Sequence, residues 1–327
     1  MPLLKRTRKT KPTSALRLFF ATDVHGSDLC FRKFLAAAKV YDAQVLLLGG
    51  DVAGKALVPF VSRGQRYEFV LHGARKTVAV EEYEGAADQV RFHGFYPTIV
   101  DEGEAELLAT DEDFRAQAFL ALIERQLNEW CRLAEERLDA NVRCLITPGN
   151  DDPFELDHVL EGVMRIESPE RQVVEVGPIR IASLGNVTPT PWHTDREFSE
   201  SELRGQIDEL FSHVDGSRRN VVFNCHCPPY DSGLDSAPEL DKTLRPVVRQ
   251  GQAVTIPVGS VAVREALAEY GPGIALHGHI HESQGMTRIN GSLCLNPGSE
   301  YSSGVLKGVL VDFDDDGACV DYLFTTG

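Results

Sequence analysis

Five short clusters of polar residues, each following an apolar, β-branched run, constrain this chain more than any other feature. In order they are Asp23-Val24-His25, Gly50-Asp51, Gly149-Asn150-Asp151, the single His226, and Gly278-His279-Ile280-His281. The runs before them, residues 16–21, 44–48, 142–147, 221–224 and 274–276, have the length and composition of buried strands. Loops leaving neighbouring strands of an α/β sheet converge, and the strands hold them rigidly. Residues far apart in sequence are therefore expected to meet at one site.

The residue types indicate what that site binds. Carboxylate, amide oxygen and imidazole together suit borderline ions such as Mn, Fe or Zn better than Ca or Mg, which prefer shells made only of oxygen. Asp51 is the natural bridge, because one carboxylate can offer an oxygen to each of two ions. His279 and His281 would face opposite ways on a regular strand. Either a turn brings both inward or each serves a different ion. Cys225 and Cys227 flank His226 but lack the spacing of a structural zinc site, and they read as core thiols.

The order DxH, GD, GN, H, GHxH resembles the calcineurin-like metallophosphoesterase superfamily, and Asn296-Pro297-Gly298-Ser299 resembles its C-terminal segment. The resemblance implies an α/β fold, an αββα sandwich of two mixed β-sheets flanked by helices. It also implies two divalent metal ions, one held by Asp23, His25, Asp51 and His281 and the other by Asp51, Asn150, His226 and His279. A hydroxide bridging the ions would be the nucleophile. A narrower likeness, carried by Thr188-Pro189-Thr190-Pro191-Trp192 and Arg196-Glu197, is to a prokaryotic branch of predicted phosphoesterases.

The chain departs from the family pattern after Asn150. Where the family usually has a histidine that contacts the phosphate and assists the leaving group, this chain has Asp151, then Asp152. An ionised carboxylate cannot donate a hydrogen bond and repels phosphate. Asp151, Asn150 and His226 are the catalytic candidates, and Asp151 or Asp152 is also a candidate N-cap for a helix starting at Pro153.

Composition bounds the function. The net charge of −16 weighs against a general nucleic-acid partner, because phosphate backbones need basic surface. Residues 1–15 run the other way, with Lys5, Arg6, Arg8, Lys9 and Lys11 and no acid, and read as a basic disordered tail before a domain spanning 16–327. No apolar run reaches the length of a membrane span, and no signal peptide is recognisable. The seven scattered cysteines fit reduced thiols in a cytoplasm.

Between Asp51 and Asn150 the chain is far longer than one crossover needs. Its second half reads as a long amphipathic helix over residues 111–138. Its first half, about residues 60–110, reads as an insertion with a hairpin over 66–80 and a strongly acidic stretch after it. Because this insertion leaves the strand end that carries Asp51, it is a candidate substrate cap. Further helices are expected at 27–38, 199–211 and 260–270, a hairpin over 172–184, and strands at 291–295, 305–313 and 318–324. The expected activity is hydrolysis of a small phosphodiester. The alternatives are a phosphomonoesterase or protein phosphatase, a nuclease, or a metal-binding scaffold without catalysis.

Overall fold

The computed structural model describes residues 14–161 and 165–327. Most of the basic segment expected over residues 1–15 lies outside them. Strand Leu16–Ala21 shows how the sequence builds the fold. Leu16, Leu18 and Phe20 point to one face and Phe19 and Ala21 to the other, and all five are buried. A strand apolar on both faces needs cover on both.

One face is covered by a second sheet. The first sheet runs, by strand, Cys319–Thr326, Lys307–Phe313, Leu16–Ala21, Val45–Gly49, Arg143–Thr147 and Ile166–Glu167. The second runs Gly285–Ile289, Ser292–Asn296, Ile274–Leu276, Val221–Cys225, Ile179–Leu184 and Val173–Val176. Both are mixed: the first is antiparallel at one edge and parallel through to the other, and the second is parallel in the middle with antiparallel edges. Leu18, Phe20, Val45, Leu47 and Leu145 of the first meet Ile181, Val222, Ile274 and Leu295 of the second in a dry layer.

The outer faces are covered by helices. Phe19, Leu46 and Ile146 pack under helices Asp28–Tyr41 and Glu112–Arg137, while Leu184, Phe223 and Ala275 pack under Glu200–Ser212 and Val261–Tyr270. The architecture is the αββα sandwich expected from the motifs. Side-chain oxygens cap these helices: Ser27, Asp111, Ser199 and Ser260 each accept a backbone N–H from the first turn. Trp130 ties the long helix to its neighbour, stacking on Phe31 at 4.0 Å while its indole N–H donates to Asp28 at 2.9 Å.

Residues 57–100 form a third, four-stranded sheet, ordered Ala74–Ala79, Arg66–Leu71, Leu57–Arg63, Tyr96–Val100, with helix Tyr83–Phe92 against it and a small core of its own around Phe60, Phe69 and Val90. The hairpin in it turns at His72-Gly73, both left-handed, as a tight antiparallel reversal requires. Several elements were not anticipated from the sequence, helices Tyr83–Phe92 and Glu102–Thr110 and strand Tyr96–Val100 among them. Strand Gly285–Ile289 reverses through Asn290-Gly291 into Ser292–Asn296, and residues 236–257 carry two short strand pairs.

The expected N-cap at Asp151 or Asp152 is not formed. The helix begins later, at Leu156, and the Asp152 carboxylate instead accepts the backbone N–H groups of Val52, Ala53 and Gly149 at 2.9, 2.7 and 2.7 Å. Three donors from a fixed turn outcompete one local helix end. No described helix is long and apolar enough to cross a membrane.

Because Trp130 is only 2 % exposed and joins two helices, Trp130→Ala should cost about 3–5 kcal/mol. A urea titration should show the midpoint falling with the slope preserved; an unchanged midpoint would mean that the indole does not hold the outer layer.

Candidate metal centre

All five motifs lie just past strand ends on one side of the sandwich. Asp23, His25, Asp51 and Asn150 come from the first sheet, and His226, His279 and His281 from the second. The seam between the sheets is thus where the seven side chains meet.

Six of them meet in two trios, and His25 and Asp51 form a third with Asp151. Asp23, His25 and His281 offer ligand atoms that all lie within 4.8 Å of one another, and so do Asp51, His226 and His279. Asp51 stands between them: its Oδ2 is 3.6 Å from His25 Nε2 in one trio and 3.4 Å from His226 Nε2 in the other. That is the position a bridging carboxylate needs. His281 Nε2 lies 3.2 Å from Asp23 Oδ1 and 3.1 Å from His25 Nε2. The two histidines of the last motif diverge through a left-handed backbone at His279, φ 66°, so both rings face inward and each joins a different trio.

Local backbone makes this convergence possible. Asp23, His25 and Asp51, like His279, have positive φ, at 54°, 40° and 51°. Each such residue costs about 1–2 kcal/mol, and together they mark a site whose surroundings over-determine it. The motif glycines answer to close approach. A Cβ on Gly50 would fall 2.2 Å from His226 Nδ1, one on Gly149 2.2 Å from Asp51 Oδ1, and one on Gly278 2.1 Å from the Thr22 hydroxyl. The glycines let the cluster's side chains stand against backbone.

Hydrogen bonds then aim the ligands. His226 Nδ1–H donates to the Gly49 carbonyl at 2.9 Å, which turns Nε2 toward Asp51. The Asn150 amide nitrogen donates to Asp151 and to Thr194, both at 3.0 Å, leaving its oxygen aimed into the site. Asp23 accepts from the Thr22 hydroxyl and from the His279 backbone. Asn296 holds the last motif by donating to the carbonyls of Gly278 and Ile280, and Ser299 donates to the Asp23 carbonyl. The Asn296–Ser299 segment therefore clamps the two ends of the site together.

The donor set fits metal ions. Asn150 Oδ1 and His226 Nε2 are buried with no hydrogen-bond partner in the protein, an expensive arrangement unless a cation completes it. The electrostatics agree. Burial disfavours a charged ring at His226, but Asp51 and Asp23 outweigh it and raise its pKa to about 10. Burial takes His279 the other way, to about 4, with the neighbouring His226 adding to it. Burial also disfavours the Asp23 anion, yet His226 and His281 hold its carboxyl well below the usual range. The site attracts positive charge strongly.

Several participants had no local signal. Lys55 Nζ pairs with Asp151 Oδ2 at 2.9 Å, so Asp151 is not the lone carboxylate that its place in the sequence suggested. Asp151 Oδ2 is also 3.7 Å from His25 Nδ1. Tyr301 packs against His25 at a tilt, ring centroids 4.6 Å apart. Arg196 is buried and donates to the carbonyls of Asp152 and Pro153 and to Asp157, and Glu197 accepts from the backbone and hydroxyl groups of Thr190 and Thr194. The Thr188–Glu197 stretch thus braces the turn that carries Asn150. Lys55 had one faint cue, as the first basic residue after Asp51.

Two mixed sheets with helices outside and these motifs, in this order, at their strand ends decide the family of folds. The chain has the calcineurin-like metallophosphoesterase fold. A solved structure with 13% identity aligns over 95% of this chain and 98% of its own at a TM-score of 0.55. TT1561 of Thermus thermophilus, 14% identical, covers 95% of this chain and 98% of its own at a TM-score of 0.49. In sequence, an uncharacterized protein of Methanocaldococcus jannaschii is 27% identical over 190 residues, 56% of this chain and 77% of the relative. No family model matches the chain. On a metallophosphoesterase scaffold, Cys225 and Cys227 are fully buried, and burial raises both thiols far above a reactive range, in keeping with their reading as core.

Gly50→Ala is the sharpest test of the geometry. Its Cβ would overlap His226, and overpacking of this kind costs about 1–3 kcal/mol. The variant should stay folded by circular dichroism while elemental analysis shows the loss of about one equivalent of bound metal. Full metal content in a folded variant would mean that His226 is not a ligand.

Proposed function

We propose that the protein is a dinuclear-metal-dependent phosphoesterase that hydrolyses a small phosphodiester. The observation that carries the reading is Asp51, with one oxygen facing a histidine of each trio. Asp23, His25, Asp51 and His281 would hold one ion, and Asp51, Asn150, His226 and His279 the other. When bound, two divalent ions of the Mn, Fe or Zn class would acidify water and neutralise phosphoryl oxygens.

The protein's own groups do the rest. The Gly49 carbonyl and the Thr194 hydroxyl keep His226 and Asn150 in the orientation that ligation needs, without rearrangement during turnover. The preference for diesters follows from charge. Beside a neutral imidazole at position 151, Lys55 would leave a net charge of one positive; the Asp151–Lys55 pair carries none. A monoester dianion loses more attraction from that change than a diester monoanion does. The acidic surface supports a small substrate over a long nucleic acid. Seven free cysteines, six of them buried, suit a reducing cytoplasm.

The inserted sheet of residues 57–100 is proposed as the substrate cap. Its support is a direct contact with a ligand loop: a Cβ on Gly94 would fall 2.0 Å from the His25 carbonyl, and the Tyr96 hydroxyl accepts the Gly54 N–H at 2.8 Å.

Asp51→Asn should reduce bound metal from two equivalents to one or fewer and lower turnover by more than about 10²-fold, beyond what outer contacts usually cost. In the same assay kcat/KM for bis-p-nitrophenyl phosphate should exceed that for p-nitrophenyl phosphate, and Asp151→His should narrow the gap. An active Asp51→Asn protein overturns the two-ion reading; a wild type that prefers the monoester overturns the diester preference alone.

Shortening the hairpin of residues 66–79 at its His72-Gly73 tip should change KM and the ranking of substrates while leaving metal content intact. Identical kinetics on several diesters would make this sheet a surface element instead.

A further inference from the structure

The short loop after Asp51 is held with unusual care. The backbone N–H groups of Val52 and Ala53 are bound by Asp152, and that of Gly54 by the Tyr96 hydroxyl. Lys55 is the next residue, so its backbone leaves a fixed platform. Its Nζ reaches Asp151 at 2.9 Å, and the other oxygen of Asp151 accepts from the amide of Asn150 at 3.0 Å. The ammonium is therefore oriented through two successive contacts from a residue of the metal centre.

Its placement differs from that of the ligands. The side chains of His25, Asp23 and Asp51 are 0–3 % exposed and that of His281 26 %, whereas that of Lys55 is 40 % exposed, beside Asp151 at 21 %. Lys55 is the cation on the open side of the cluster. An ammonium has three N–H donors, and Asp151 occupies one of them. An ion pair this exposed contributes little to folding, so stability gives a weak account of why the loop is fixed so firmly.

We propose that Lys55 is a catalytic residue, oriented by Asp151, that donates a hydrogen bond to the oxygen leaving phosphorus; this rests on the phosphoesterase reading above. In the hydrolysis a water oxygen forms the new P–O bond and the P–O bond to the alcohol breaks. The electron pair stays on the departing oxygen, which ends with one of the two protons of that water, so no further reactant is needed. Lys55 stabilises the negative charge that builds on the departing oxygen. Asp151 is a positioning residue: it touches Lys55 and not the substrate.

The experiment uses the metal-loaded protein and a series of aryl methyl phosphodiesters running from dinitrophenyl to phenyl. Lys55→Ala should slow the phenyl ester by roughly 10²-fold and the dinitrophenyl ester far less, which steepens the dependence of kcat on leaving-group acidity. Lys55→Arg should recover part of the loss, and Asp151→Asn should steepen the dependence to a smaller degree. Calorimetry with inorganic phosphate should show several-fold weaker binding to Lys55→Ala, with two metal equivalents still present. A uniform slowing across the series, or unchanged kinetics and phosphate binding, overturns the role of Lys55. An active Asp51→Asn protein would instead sink the phosphoesterase reading itself, so the two failures are distinguishable.

Discussion

Every part of the site depends on one electrostatic constraint: Asp51, Asp23 and four imidazoles, most of them buried, are brought together where two sheets meet. Carboxylates and rings this close cannot all be satisfied by one another. Some polar atoms of the cluster, Asn150 Oδ1 and His226 Nε2 among them, have no hydrogen-bond partner in the protein. A fold that keeps such a cluster must offset its cost from packing elsewhere, and the dry layer between the sheets is the source. The glycines, the left-handed ligands and the clamp at Asn296 are the local means by which that packing energy holds the cluster in place.

The same arrangement explains which parts were legible in the sequence. Ligands that follow strands announce themselves, because alternation marks the strand and a Gly beside Asp, Asn or His marks the close approach. The helix caps at Ser199 and Ser260 were equally plain, since capping is a matter of a few adjacent residues. Local rules failed where tertiary contacts took over. Asp152 looked like a helix cap and became the anchor of a loop 100 residues away. Arg196 carried no local sign of burial and proved to lie beneath the Asn150 turn. Lys55 carried almost no signal, because its importance lies wholly in reaching Asp151 across the fold.

Asp151 shows why a departure from a family pattern should be read with its surroundings. In sequence it replaces a donor with an acceptor, and repulsion of phosphate is the natural inference. In the fold it is one half of an ion pair whose other half is a donor. Burial and Asp51 push its carboxyl upward while Lys55 pulls it back, so the pair behaves as a unit. The donor that position 151 lacks thus stands beside it, on a different strand-end loop.

Two glycine turns of the inserted sheet, at Gly73 and Gly94, differ in a way that bears on how such a protein can diversify. At Gly73 nothing lies within 4 Å of where a side chain would go, whereas at Gly94 the backbone of His25 is in the way. The far tip is free to lengthen, shorten or change its chemistry, while the near turn is tied to a residue of the metal centre. Sequence variation should therefore be tolerated from the outside inward: the hairpin end can drift without disturbing the Asp/His cluster, and the Gly94 end cannot.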